Sequence, residues 1–462
     1  MKTFYGLFLL FIYSFTFAQG NDDNWVFGHH AGLNFSTGVP VPFTTTIYAI
    51  EGCASISDTS GQLQFFTNGV KVFDRNGILM QNGDSLATDY PWQYSADAPQ
   101  AVVIIPMPGS QTHYYLFTRS DFKLTYSIID MTMNSGLGAV VLKNQVLYNA
   151  PVLRYMTAIK HGNGTDWWLI THGLGSDFMA HQITAAGIQS PVISAVGISY
   201  NNAGFSSQNE IVSNLQGTQL ALSSYLGVHL VSFDRCTGVY SQFATLSLPE
   251  TPYSFAYSPD GTKLYYAFHY NNYPTYLYQV CLNCGNPISN YITQIFYDAN
   301  LTYNLSQIQN GPDGKIYAAL GYWWLPDSTH ATMNMNLSVI NDPDQPGLAC
   351  DFDTATVSLG GNWSCYGLPN SPYYNMPPAN CGPTGIADNP ISDDFQIFPN
   401  PTCDKIYFAK SKQIKLSDLS GKIILEAKNC DVMNLSALAP GIYFLDFYFE
   451  DGRSVRKKIV KN

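Results

Sequence analysis

The sequence predicts an all-β fold, and three observations predict it. Charged residues make up only 12% of the chain while aromatics reach 14%, with 32 Tyr and 27 Phe. That balance favours packed strands over helices. Apolar and polar residues alternate in short runs, the pattern of half-buried strands. A turn-plus-strand unit also recurs through the middle of the chain, with starts separated by 51, 53, 53, 44 and 52 residues.

The recurring strands begin at Gln62, His113, Asp166, Gln219, Lys263 and Lys315. Each follows a turn: Ser57-Asp-Thr-Ser-Gly61, Pro108-Gly109, His161-Gly-Asn-Gly164, Asn214-Leu-Gln-Gly217, Ser258-Pro-Asp-Gly261 and Gly311-Pro-Asp-Gly314. Proline presets the φ of a turn's second residue and glycine takes the positive-φ position, which joins two antiparallel strands. A partner strand follows in most units, starting at Leu124, Phe178, Val228, Thr275 and Leu337. A period near 50 with several strands per unit predicts a β-propeller over residues 19–380, because each small sheet buries its faces only by stacking on its neighbours. The segments 25–35 and 357–369 are left over at the two ends and are read as sharing a seventh blade, which closes the ring and removes open edges. Six or eight blades, or a β-sandwich of similar strand spacing, are the competing readings. The Ser258-Pro-Asp-Gly-Thr-Lys-Leu264 unit resembles the repeat of WD-repeat-like and bacterial surface propellers. Trp167-Trp168 lies on a strand, so one ring is expected to enter the core.

The ends of the chain read as addresses. Met1-Lys2 is a basic start, Phe4 to Phe17 an apolar run, and Ala18 a small residue before Gln19. This predicts a secretory signal peptide over 1–18, cut between Ala18 and Gln19. The run is shorter than the roughly 20 residues of a membrane span, and no later segment is predicted to be transmembrane. Residues 381–394 are small, polar and broken by Pro and Gly, and read as a linker. Beyond it many of the chain's lysines gather, and strands alternate again around Gly421, Gly441 and Gly452. This predicts a small Ig-like β-sandwich over 395–462. Phe398-Pro-Asn-Pro401, Leu416-Ser-Asp-Leu-Ser-Gly-Lys422, Leu438-Ala-Pro-Gly-Ile-Tyr-Phe-Leu445 and Lys457-Lys-Ile-Val-Lys-Asn462 occur in order. The segment resembles the C-terminal sorting domain of type IX secretion cargo in the Bacteroidetes. The resemblance implies export through the periplasm to the outer surface, with the secretion machinery and a cysteine-peptidase sortase as partners. It also implies removal of the tail, often with attachment of the mature protein to lipopolysaccharide.

The formal net charge of −11 disfavours a nucleic-acid partner or an anionic membrane surface. Nine cysteines leave at least one unpaired. Cys281-Leu-Asn-Cys284 lacks the further ligands a zinc site needs and is read as a loop disulfide or free thiols. Cys350 with Cys365, and Cys403 with Cys430, are candidate disulfides. No catalytic motif is present and no cofactor is implied. Glu51 and Glu210 precede strands of their units and are weak catalytic candidates at the channel mouth, where they could hold a structural cation with His161 or Asp97. Solvated strand-end charges are the competing reading. His29-His30 are expected on opposite faces of a strand, unable to serve one site. Tyr270, Tyr273, Tyr322, Trp323 and Trp324 occupy equivalent loops of successive units and are candidates for a stacking surface, with packing between hairpins as the alternative. The function predicted is a secreted or surface propeller that binds a glycan or protein. The alternative is an extracellular hydrolase or lyase acting on polysaccharide or lactone.

Overall fold

The computed structural model describes residues 20–86, 96, 98–119, 123–200, 210–224, 227–250, 252–268, 273–285, 287–300, 302–321 and 332–381, and in the tail 397, 400, 402, 404–418, 422–448 and 454–461. The signal-peptide cut at Ala18 and Gln19 and most of the linker lie outside the described residues. Two compact units divide the chain, Met1–Cys381 and Gly382–Asn462.

In the first unit seven antiparallel sheets follow one another, within 24–48, 54–74, 102–148, 152–200, 211–246, 254–298 and 305–358. They are called blades 1 to 7 here. The first strand of each blade touches the first strand of the next, from Asn24–Phe27 to Leu305–Asn310. Blade 7 meets blade 1 through Trp25, which packs edge-on to Tyr317 at 5.7 Å and shares a core with Leu337 and Val339. The ring is closed, and the fold is a seven-bladed β-propeller. First strands such as Ala54–Ser57 and Ser254–Tyr257 are buried throughout, while the last strand of blade 7, Phe352–Ser358, alternates toward solvent. Stacking buries both faces of the middle strands. This explains why Trp167 and Trp168 are both buried, Trp167 against Tyr374 and Trp168 against Phe233, where the sequence suggested one core ring.

The six strands read from the repeat appear within one residue of their expected starts, as Leu63–Thr67, His113–Arg119, Trp167–Gly173, Gln219–Ser224, Lys263–Phe268 and Ile316–Leu320. Their turns carry positive φ at Gly61, Gly109, Gly164, Gly217, Gly261 and Gly314. The N-terminal segment supplies more of its blade than expected, namely all three strands of blade 1. The far end adds isolated bridges, with Trp363 paired to His29 and His30, and Pro369 to Cys53 at the start of the second blade. His30 has φ 67, so the pleat breaks there and the His29 and His30 rings lie 4.4 Å apart instead of on opposite faces.

After blade 7 the chain does not leave the ring. Residues 363–381 form a strap along its axis. Tyr366 N–H donates to Ile50 O and Asn370 N–H to Cys53 O. Asn370 Nδ2 donates to Val102 O and Met156 O, at 2.9 and 3.0 Å, on the first strands of blades 3 and 4. The Tyr374 hydroxyl donates to Ile104 O and Ala379 N–H to Gly162 O. At Gly367 a Cβ would fall 1.9 Å from Glu51 O, so only glycine allows the strap to pass so close. The strap ends in a disulfide between Cys381 and Cys236 of blade 5.

That bond and Cys281–Cys284 are the disulfides among the described residues. The expected Cys350–Cys365 pair does not form, and both are buried free thiols. Cys350 belongs to the core between blades 6 and 7, whereas Cys365 lies on the strap beside Ser306. Cys403 lies outside the described residues, and Cys430 is a free thiol.

The second unit is a small β domain. Its described strands Lys405–Ser417, Ile423–Asn434, Gly441–Tyr448 and Ser454–Lys461 form one four-stranded antiparallel sheet. The first two carry a register shift between Tyr407 and Ser411. Ile406, Ile414, Leu416, Leu445, Phe447 and Ile459 bury into a single core. Among the described residues of the chain no helix is long and apolar enough to cross a membrane.

Candidate functional site

Two adjoining cavities lie on the propeller axis. The inner one is a chamber of about 60 Å³, room for about two water molecules. Its wall includes Gln100, Glu210, Gln307 and Asn370. These side chains tie the first strands together. Gln100 Oε1 accepts from the Met156 and Ile211 amides. Glu210 Oε2 accepts from Ser254 Oγ at 2.6 Å and Phe255 N–H at 3.2 Å, and its Oε1 from Gln307 Nε2 at 2.8 Å. Glu210 thus links blades 5, 6 and 7 from a fully buried position, not from a solvated strand end.

Burial pushes the Glu210 carboxyl up to about 7, against the opposing hydrogen bonds from Ser254, Gln307 and Phe255. A folded-state value above the unfolded one means that the folded protein holds its proton more tightly. The resulting stability is complete below about pH 4.5 and is lost as pH rises through 7. Glu210→Gln cannot ionise and lacks this falling limb. Relative to wild type it should gain on the order of 3 kcal/mol between pH 4.5 and 7. Urea unfolding at several pH values measures the difference, and parallel stability curves would contradict it. His172, His181 and His229, whose values burial lowers to about 4, act in the opposite sense. They are common to both proteins and cancel in the comparison.

The outer cavity is a well of about 350 Å³, within the range of small-molecule sites. Its rim is built from turns that the repeat predicted: Leu215 of blade 5, Pro259 of blade 6 and Gly311–Gly314 of blade 7. The strap contributes residues 373–377, and the N-terminal segment contributes Asp22, Asp23 and Phe35. Asp22, Asn310 and Tyr373 border both cavities, and the Tyr373 hydroxyl donates to Asn310 Oδ1 at 2.8 Å. Phe35 is held by Trp25 at 5.0 Å and Tyr317 at 5.5 Å, which fixes that wall. Asp22 accepts from Trp25 Nε1 at 3.3 Å. Its carboxyl is pushed up to about 7, chiefly by burial, with the neighbouring Asp23 adding to the rise.

The sequence candidates are dispersed. Glu51 is buried at the start of blade 2, close to Tyr366, and lines neither cavity. His161 stacks on Trp168, with its Nδ1 accepting from Asn163 N–H. Asp97, Tyr270, Tyr322, Trp323 and Trp324 lie outside the described residues, whereas Tyr273 is described and exposed. Among the described residues no three His, Cys, Asp or Glu side chains converge as a metal site. Sequence reasoning missed Asp22 and Tyr373 because both lie outside the repeat. The available signal was the Pro-rich, aromatic run Pro369–Pro378, too irregular for a strand.

Likeness to solved structures is low. A Bacteroides uniformis protein provisionally described as a 6-phosphogluconolactonase is 11% identical, with a TM-score of 0.40 over 73% of this chain and 98% of that one. The BP39L lectin of Burkholderia pseudomallei is 9% identical, with a TM-score of 0.39 over 96% and 100%. A quinonprotein alcohol dehydrogenase-like protein of Bacteroides thetaiotaomicron is 9% identical, with a TM-score of 0.38 over 70% and 73%. Likeness at this level assigns no ligand and no activity. No curated protein matches the sequence significantly. The tail is another matter, because residues 396–462 match the family described as the secretion system C-terminal sorting domain. The chain is therefore a β-propeller that carries a type IX C-terminal sorting domain, exported through that system to the cell surface or the extracellular space.

Proposed function

We propose that the chain is an exported binding protein that holds a small ligand in the well on the turn face of its propeller. The observation that carries this reading is the well itself, a concave site of about 350 Å³ with aromatic walls on a closed ring. Rigid aromatic surfaces give contact area at low cost in conformational entropy. The sorting domain engages the type IX machinery, and removal by a sortase after signal-peptide cleavage completes the maturation we envisage. The hydrolase or lyase reading has less support. Both oxygens of Glu210 are committed to donors from neighbouring blades, and the chamber beside it has room for about two waters.

The full chain should bind at least one member of a panel of mono- and disaccharides and small metabolites. Tyr373→Ala should weaken that binding about tenfold or more, the scale of one lost aromatic contact. Calorimetry on both proteins provides the comparison. An unchanged affinity in the variant would place the ligand elsewhere, and turnover without retained ligand would favour the enzyme.

A further inference from the structure

The well has an unbalanced charge. Asp22, Asp23 and Asp313 line it, and among the described residues lining it none is Lys, Arg or His. Asp313 is engaged within the protein, with its Oδ2 accepting from the Tyr317 hydroxyl at 2.7 Å and its Oδ1 from Lys315 N–H. Asp22 is compensated more weakly. Its side-chain donor among the described residues is the Trp25 indole, at 3.3 Å. The remaining surface of Asp22 opens into the cavities. A desolvated carboxylate of this kind is stabilised most by a positive charge brought into the same enclosure.

The walls point the same way. Phe35, Tyr373 and Tyr374 line the well, and the faces of aromatic rings attract cations. Burial raises both tyrosine hydroxyls above their ordinary range, so they remain neutral donors and add no positive charge. An anionic ligand would meet three carboxylates. A neutral sugar would find hydrogen bonds and would leave Asp22 uncompensated.

Resting on the binding reading above, we propose that the well takes a small organic cation, with its ammonium group seated against Asp22 and the carbon body against Tyr373 and Phe35. The titratable groups facing the cation are Asp22, Asp23, Asp313 and the two tyrosines. Affinity therefore rises with pH as Asp22 ionises, and falls again only for a ligand such as glucosamine whose amine loses its proton.

Calorimetry on the full chain at pH 7.5, with glucosamine, N-acetylglucosamine, glucose and choline as probes, tests the proposal. Glucosamine or choline should bind about tenfold or more tightly than the two neutral sugars, the scale of one favourable charge contact. Asp22→Asn should reduce that preference to about threefold or less, and Asp23→Asn serves as a second variant should the first fail to fold. Equal binding of N-acetylglucosamine and glucosamine, reduced by Tyr373→Ala, overturns the cation and leaves the binding site standing. Glucosamine or choline binding unaffected by Asp22→Asn overturns the assignment to this carboxylate. Binding of no amine probe, with none of the wider panel bound either, overturns both readings.

Discussion

Cys236→Ser is expected to lower the unfolding free energy of the propeller by about 3–5 kcal/mol, the chain-entropy value for a cross-link closing a long loop. The two cysteines are separated by 145 residues, so the loop holds blades 6 and 7 and the whole strap. The bond also fixes the end of the strap, whose last stretch is otherwise held by the Ala379–Gly162 hydrogen bond and by Arg235 Nη2 donating to Pro377 O at 2.9 Å. Without the bond these contacts must hold the axis closed by themselves. Urea denaturation of wild type, Cys236→Ser and Cys381→Ser measures the effect, and the two variants, which both keep the Cys281–Cys284 bond, should coincide. Equal midpoints for oxidised wild type and Cys236→Ser would remove the disulfide from the stability of the ring.

Deleting residues 396–462 is expected to abolish surface delivery nearly completely while leaving a folded propeller in the periplasm. The tail has its own core around Ile406, Leu416, Leu445 and Ile459. The propeller's last anchor, Cys381, lies before the cut. Loss of the tail therefore removes the export signal and none of the residues that close the ring. Cell fractionation with detection of the propeller gives the distribution, and limited proteolysis of the periplasmic pool reports its folding. Normal delivery of the truncated chain would refute the sorting role of the tail. Rapid degradation in the periplasm would show instead that the ring depends on the tail.

Much of the propeller was legible because its turns are local. Pro259-Asp-Gly261 and Pro312-Asp-Gly314 announce hairpins through φ preferences that act over four residues. The strands that follow them, Lys263–Phe268 and Ile316–Leu320, are short runs rich in apolar and aromatic residues. The first strands were harder to see. Ile211–Ser213 spans three residues and Ala54–Ser57 four, too few to show a period. The strap was invisible because its order comes from partners far away in sequence. Asn370 bonds Val102 and Met156, 268 and 214 residues distant. The same reason defeated the cysteine pairing, where nearness along the chain suggested Cys350 with Cys365 and the strap delivered Cys381 to Cys236 instead. Glu210 was picked out as a strand-end acid, but its burial depended on blades 6 and 7 closing over it. The tail carried its meaning in ordered motifs, and those needed no tertiary information.

The exit of the strap has a geometric consequence for the mature protein. Pro377 lines the well, and Cys381 follows it by four residues, a reach of at most about 14 Å. Were the tail removed, any chain left beyond Cys381 would start within that reach of the wall of the well. A product held to the cell by that stub would present its opening toward the envelope, so molecules would reach it from the layer of surface glycans, and the outer rims of the blades would face the medium. A product set free would lose that bias and sample its surroundings from every direction.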